Sequence, residues 1–537
     1  MTETEPTSLL DIALRRADCD PTTPFLLTID GPESDGIRTV TYGEAVERAH
    51  TLGVELVDRG VADGGRVGCY LSNSTSWVVS SLAVWMTGAT VAAVGTLVPG
   101  PEAVTLFDLA EVDTVVALDG APVLPGRDVV QVDEGGELVA TKRGLGSPSS
   151  TGVLPGTDAL ALAIFTSGTT GRPKGITHSH ADLIAAARRV AAAYAQTSGY
   201  RPAPAPSHLP PGVIFNPFGH MAGYSRLAFR MWIGRPTVIV PRFTEGAARL
   251  LLDRFEMDTL QLTPTMIHML TTAEPPLDLR SVRYVTSGTA PLSIATRERF
   301  EARYRVPVMQ AYGMSEVGAV SQERYDDVVA GRRGPGSVGR LAEGVEVAIR
   351  PLDADRPADE GEILVRTDEL AKEFLGGAAV PVDDDGWFPT GDVGRLDDGI
   401  LYITGRVQEK IIVGGFNVYP AEVEDAARRS PLVADVVVVG LPDERLGERP
   451  VAGVVWAAAQ DPTALLDELR GVLAPYKIPR AVFPIDAVPL TARDKVDRAR
   501  ATHLAAAALE RGSAVSNRAE PPPIDAAGAA PDANADR

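Results

Sequence analysis

Along residues 9–240, apolar positions at helical spacing alternate with short β-branched runs such as 66–71 (RVGCYL), 113–118 (DTVVAL) and 160–165 (LALAIF). A run that is apolar at nearly every position has to bury both faces, so the alternation predicts mostly parallel sheets covered by helices. The pattern continues at 281–288 (SVRYVTSG) and 306–313 (VPVMQAYG), where each run ends in glycine and small polar residues. Ligands of such sheets gather at the carboxyl ends of the strands, which places candidate chemistry there. The longest apolar stretch, 77–98, is interrupted by Ser80, Ser81, Thr87, Gly88, Thr90 and Gly95. It predicts a buried helix breaking at Gly88 into a strand, and no membrane span.

Beyond Arg350 the pattern changes. GEILVR (361–366) and VGRLDDGILYITGR (393–406) predict antiparallel strands, the latter folded at Asp398-Gly399, a favoured two-residue hairpin turn. After Arg406 come a strand, a helix over 420–429, the apolar run ADVVVVGL (434–441), a helix near 465–473 and the segment PRAVFPID (479–486). Together they suffice for a separate α+β unit of about a hundred residues. The expected architecture is α/β: a large N-terminal domain, 1–406, of stacked, mostly parallel sheets with helices plus a β-rich subdomain, and a small α+β C-terminal domain, 407–510. The tail 511–537 is rich in Ala, Pro, Asn and Asp and is expected to be disordered.

Composition narrows the function. The 537 residues carry a formal net charge of −20, which argues against nonspecific binding of nucleic acid or an anionic membrane, since both need a basic face. Cys19 and Cys69 form neither a CxxC pair nor a zinc-ligand spacing and read as reduced thiols. The chain starts without the basic end and continuous apolar stretch of a signal peptide, so a cytoplasmic protein is expected. His178 and His180 lack acid or thiol partners at ligand spacing and read as the start of a helix.

The strongest local signal is FTSGTTGRPKG (165–175), in which a buried strand runs into Thr166, Ser167, Gly168, Thr169, Thr170 and Gly171, followed by Lys174. Glycines let backbone amides turn toward an anion, hydroxyls add donors and the lysine supplies charge, which is phosphate-loop chemistry. The interval from Gly168 to Lys174, and Gly175 in place of a hydroxyl residue, do not fit the GxxxxGKS/T loop, which disfavours an ordinary P-loop nucleotidase. A solvated surface loop shares the composition and stays open on this motif alone.

TSGTTGRPKG (166–175) resembles the signature loop of the adenylate-forming superfamily of acyl-CoA synthetases, peptide-synthetase adenylation domains and luciferases. Four further motifs follow in the family's order: QAYGMSE (310–316), TGD (390–392), GRVQEKIIVGGFNVYPAEVE (405–424) and PLTARDKVDR (489–498). An adenylate-forming site needs an aromatic face for adenine, acceptors for ribose hydroxyls, an acid for Mg²⁺ and cations for charge at the α-phosphorus. The resemblance implies Tyr312 and Gly313 at the adenine, Ser315 on the α-phosphate, Glu316 as Mg²⁺ ligand, Asp392 on the ribose, Arg406 on ribose or phosphate, and Lys495 as the catalytic cation. It further implies that Ser287, Gly288 and Thr289 of SGTAPL (287–292) line the adenine and acyl sites, Thr289 standing where glycine is usual. His220 of FNPFGHMAG (215–223) would orient the substrate carboxylate, and the Gly415 face would receive a pantetheine thiol. Taken singly, each has an ordinary alternative: Tyr312 in a core, Glu316 and Arg406 solvated, Asp392 in an Asx-turn, His220 a satisfied buried histidine.

The chain looks most like a stand-alone acyl-CoA ligase. That resemblance implies activation of an apolar or aromatic carboxylic acid with ATP and Mg²⁺, then thioester formation with CoA, releasing pyrophosphate and AMP. It also implies a mobile C-terminal domain turning about Gln408, a position usually Asp or Lys, while Asp494 stands where glycine usually precedes the lysine. Lys477 and Arg480 are candidates for CoA phosphates, with solvated surface charge as their ordinary reading. The alternatives are transfer to a carrier protein, activation of another oxyanion such as nitrite for an arylamine, and catalytically silent nucleotide binding. Retention of Lys174, Glu316, Asp392, Arg406 and Lys495 weighs against the last.

Overall fold

The computed structural model describes residues 5–29, 37–122, 124–139, 154–167, 173–198, 210–352, 360–371, 373–414, 416–457, 459–491 and 496–516. Gly168, Thr169, Thr170, Gly171, Gly415, Asp494 and Lys495 lie outside the described residues, as does the expected tail beyond Ser516.

Among the described residues the chain forms four sheets. The eight-stranded one contains the parallel order Leu160–Ser167, Thr90–Gly95, Arg66–Leu71, Thr114–Leu118, Asp128–Val132. Val67, Leu71, Val91, Val116 and Leu162 are fully buried, the condition under which parallel strands are covered on both faces. The helix Thr75–Met86 is buried all round and is capped by Thr87, after which Gly88, at a φ of +75°, turns the chain into Thr90–Gly95, as the interrupted apolar stretch predicts. No described helix is long and apolar enough to cross a membrane. A four-stranded sheet orders Ile37–Thr41, Pro24–Ile29, Thr237–Ile239 and Gly212–Ile214.

In the nine-stranded sheet the β-rich region is continuous with a second α/β layer. Residues 308–310 of the strand Val308–Met314 pair in parallel with Tyr284–Ser287, while 311–314 pair antiparallel with Gly318–Gln322. The order then runs through Ser337–Leu341, Ile400–Arg406, Phe388–Asp397, Gly361–Arg366 and Glu346–Pro351. Asp398 and Gly399, at φ 46° and 72°, close the hairpin at the expected dipeptide with the left-handed pair a type I′ turn requires.

After Arg406 a separate sheet forms around the long antiparallel pair Val433–Asp443 and Gly447–Trp456, flanked by the helices Pro420–Arg428, Pro462–Arg470 and Arg498–Glu510. Val413, Val418, Val423, Val436, Val454 and Leu466 give it a core of its own. Two details differ from the expectation. Val515–Ser516 adds an edge strand on Ala481–Pro484, so order extends into the stretch read as tail, a β-branched residue being enough to lengthen an exposed edge. His178 lies inside the strand Pro173–Ser179, and only His180 opens the helix His180–Ser198. Ile176 and Thr177 carry the strand past the loop by pairing with Leu160–Ser167.

These two histidines make stability pH-dependent. His178 and His180 are 4% and 1% exposed, and burial pushes each down to about 4. Unfolded imidazole titrates near ~6.5, so the stabilisation from keeping them neutral is complete above that pH. It is lost as pH falls toward ~4, up to about 3 kcal/mol per residue. The stability gap between wild type and His178→Gln is therefore expected to shrink across this window in thermal melts. A gap that stays constant from pH ~7 to ~4.5 would contradict the neutral-histidine account.

Candidate active site

The ends of Leu160–Ser167, Tyr284–Ser287 and Val308–Met314 converge with the hairpin 388–406 on one open cleft of ≈ 3210 Å³. Thr166, Lys174, His220, Glu316, Asp392 and Arg406 all line it.

Asp392 has the densest set of contacts. Its backbone N–H donates to Thr390 Oγ1 at 3.1 Å, and the Thr390 hydroxyl donates to the Ile363 carbonyl at 2.7 Å. Its carboxylate accepts from the Tyr312 hydroxyl at 2.7 Å and from Arg406 Nε at 2.6 Å. The Thr-Gly-Asp segment, expected as a turn preceding the hairpin, is instead part of the strand Phe388–Asp397, and the hairpin register sets Asp392 opposite Arg406. The Asp392 side chain is 8% exposed and that of Arg406 51%, so the acid is fixed while the base reaches into the cleft. Burial, and next the neighbouring Asp392 charge, hold the Tyr312 hydroxyl well above its ordinary pKa. Burial alone would pull Arg406 down, but Asp392 holds its guanidinium charged beyond the usual range. Each carboxylate oxygen keeps a second lone pair, so Asp392 can still accept two hydroxyls from a ligand.

Thr166 and Lys174 face each other across the antiparallel pair, which brings the two ends of the loop together. Lys174 Nζ lies 5.1 Å from the Phe374 ring centroid. Ser315 and Glu316 occupy the turn between Val308–Met314 and Gly318–Gln322, pinned where the Glu316 carbonyl accepts the Ala371 N–H at 2.8 Å. No group of three or more His, Cys, Asp or Glu among the described residues forms a metal cage. One carboxylate, Glu316, on the same cleft as Thr166 and Lys174 nevertheless fits Mg²⁺, which binds through one or two carboxylates together with the phosphates of a nucleotide.

On the segment 215–223, the Phe218 N–H donates to Asn73 Oδ1 at 3.3 Å, and Asn73 Nδ2 donates to the Val240 carbonyl at 3.0 Å. Gly223 folds so tightly on this turn that a Cβ would come within 2.6 Å of the Pro217 carbonyl oxygen. His220 is thereby set as the N-cap of the helix Met221–Ile233, at the cleft wall. The end of the strand Tyr284–Ser287 divides the Ser287–Thr289 group. Gly288 and Thr289 line the cleft, whereas Ser287 is 2% exposed and its hydroxyl is buried without a partner among the described residues. Thr289 stands at φ +71°, a left-handed conformation costly for a β-branched residue.

One junction was not singled out in the sequence. Arg498 donates from Nε to Glu409 at 2.8 Å and from Nη1 to Glu424 at 2.6 Å, tying the lysine motif to the short 3-10 turn Val407–Glu409 that contains Gln408. Burial alone would raise Glu424; the adjacent Arg498, then Arg428, bring it below the usual carboxylate range. Both ends of this contact lie in quoted motifs, but their pairing needs tertiary structure. Leu490 and Val496, which bridge to each other, both line the cleft. Lys477 is held by Glu422 at 2.5 Å, so this candidate for a CoA phosphate is already paired.

Residues 15–375 match the family model of the AMP-binding enzyme, and residues 422–495 that of the AMP-binding enzyme C-terminal domain. The chain is 31% identical over 494 residues to a methyl-dioxo-octahydroindenyl propanoyl:CoA ligase of Mycobacterium tuberculosis, covering 86% of this chain and 93% of that protein. It is 29% identical over 475 residues to a long-chain-fatty-acid–CoA ligase of the same organism, covering 85% and 91%. Among solved structures, ATP-bound MatB of Rhodopseudomonas palustris superposes with a TM-score of 0.78 at 26% identity, over 93% of this chain and 99% of that one.

Proposed function

The chain belongs to the AMP-binding enzyme family, as an AMP-forming acid–thiol ligase, and from that premise we propose how its residues divide the work. A carboxylate oxygen of the acid attacks the α-phosphorus of ATP in line. The bond from that phosphorus to the bridging oxygen breaks, and pyrophosphate leaves with the electron pair. The CoA thiol, losing its proton, then attacks the acyl carbon of the adenylate and displaces AMP.

Asp392 holds the ribose hydroxyls, Tyr312 presents its ring to the adenine, and Arg406 and Lys174 offset phosphate charge. Ser315 and Thr166 donate hydroxyl hydrogen bonds to phosphate oxygens, and His220 orients the attacking carboxylate. Glu316 would hold Mg²⁺, which when bound neutralises charge on the phosphate oxygens. The domains divide at Arg406; residues 407–510 turn about Gln408, so that Lys495 serves adenylation and the Gly415 face serves thiol transfer. Such an enzyme works in the cytoplasm, where ATP, CoA and free thiols such as Cys69 coexist.

The observation that carries this reading is the Tyr312–Asp392–Arg406 array opening on the same cleft as Lys174 and His220. It is tested by assaying a panel of apolar and aromatic acids for pyrophosphate release with and without CoA. Acid-dependent release sustained only with CoA is expected. Release that needs a carrier protein, or nitrite with an amine, would select another acceptor or oxyanion, and no release with any substrate would leave only nucleotide binding.

A further inference from the structure

Below His220 the helix Met221–Ile233 carries Arg226 and Arg230, four residues apart and therefore on one face, and both line the cleft. Arg230 is 4% exposed, and its Nε and Nη1 are buried without a hydrogen-bond partner among the described residues; the buried Nε of Arg226 is likewise without one. The acid nearest them is already engaged: Asp258 accepts from Arg235 at 2.7 Å and from the Tyr194 hydroxyl at 2.5 Å. The connecting stretch 196–211 contains no Asp or Glu. The guanidinium of Arg230 lies so flat against Gly212 that a Cβ there would come within 2.2 Å of its Cζ, so glycine makes the space the cation occupies.

A buried cation that serves only the fold is ordinarily paired, because leaving it unpaired costs several kcal/mol. Here two cations share a wall of the cleft, and among the described residues the acid that acts on Arg230, Asp258, is hydrogen-bonded to Arg235 and Tyr194 instead. Burial, and for Arg230 also the nearby Arg235 and Arg226, bring Arg226 down to about 10 and Arg230 to about 9, which still leaves both charged at neutral pH.

We propose that Arg226 and Arg230 form a second anion site at the acyl end of the cleft, and that the acid substrate carries a second carboxylate which they bind. The inference rests on the acid-activating reading above and specifies its substrate class. The helix acts as a ruler: six and ten residues separate His220 from the two arginines, and side chains lean back toward the helix start. The two carboxylates are therefore on the order of 10 Å apart. Val190 and Phe229 also line the cleft, which suits an apolar spacer in the acid. The substrate is a dicarboxylic acid with an apolar spacer, one end adenylated beside His220 and the other clamped by arginine.

The experiment compares chain-matched mono- and dicarboxylic acids as substrates for pyrophosphate release by the full chain. Wild type is expected to favour the diacid in kcat/KM by roughly 10²-fold or more, because a monoacid leaves both arginines unpaired. Arg230→Gln and Arg226→Gln are expected to raise KM for the diacid and leave the monoacid nearly unchanged, with Arg230→Lys recovering part of the loss. Equal use of both acids by wild type, a preference for the monoacid, or a variant that loses both equally would overturn the proposal. So would a change confined to KM for CoA, which would assign the arginines to its phosphates. The wild-type ratio needs no variant to fold, and failure of every acid would instead strike the acid-activating reading itself.

Discussion

Replacing Lys495 with alanine is expected to slow acyl-adenylate formation by roughly 10²–10³, the loss that follows removal of one preorganised donor aimed at developing charge. Thr491 and Val496, the described residues on either side of it in the sequence, line the cleft, and Leu490 pairs with Val496. Thiolysis of a supplied acyl-adenylate by CoA is expected to survive if, as proposed, the C-terminal domain turns Lys495 away for that step. Gly415→Leu is expected to do the reverse, since a side chain there blocks the close backbone approach of pantetheine while sparing the adenylation face. First-turnover pyrophosphate release and thioester formation from synthetic adenylate separate the two steps. If both variants, still folded, lose both activities equally, the two-face division of labour is wrong.

Asp392→Ala is expected to lower kcat/KM for ATP by on the order of 10² or more, through the loss of two charge-assisted hydrogen bonds to ribose at about 1.5–3 kcal/mol each. Tyr312 and Arg406 also lose their shared acceptor, so part of the loss could come from a disordered wall. Tyr312→Phe separates these effects. It removes the hydroxyl that donates to Asp392 at 2.7 Å but keeps the ring and the carboxylate, so ATP use should change by no more than about threefold. Comparable losses in both variants, measured as KM and kcat for ATP, would reduce Asp392 to a scaffold for its neighbours.

The elements legible in the sequence are those whose determinants are local. The Asp398-Gly399 turn needs two left-handed residues and has them, and it sets the register as far as Gly394 opposite Ile403. A bulge between Val393 and Gly394 then shifts the pairing by one and puts Asp392 opposite Arg406, which the turn alone does not dictate. The break at Gly88 and the buried parallel strands were likewise carried by residue pattern. What could not be read depends on partners distant in sequence. Whether Val308–Met314 joins the parallel or the antiparallel half depends on both neighbours, and it joins both. Ser287 belongs to a motif at the site, yet strand alternation turns its side chain from the cleft, and motif recognition carries no information about faces. His178 became a strand residue through pairing with Leu162. Arg226 and Arg230 fit an ordinary amphipathic helix as well as a binding face. Only the burial of guanidinium nitrogens without a hydrogen-bond partner among the described residues distinguishes them.

The central claim is that a carboxylate oxygen of the substrate becomes bonded to the α-phosphorus of ATP, and oxygen labelling tests it directly. An acid labelled with ¹⁸O in its carboxylate is turned over with ATP and CoA, and AMP, pyrophosphate and thioester are weighed by mass spectrometry. Attack at the α-phosphorus followed by thiolysis at the acyl carbon predicts one labelled oxygen in AMP and none in pyrophosphate. ADP in place of AMP, with the label in inorganic phosphate, would mean that the acid had been activated as an acyl phosphate, and would contradict the adenylate account.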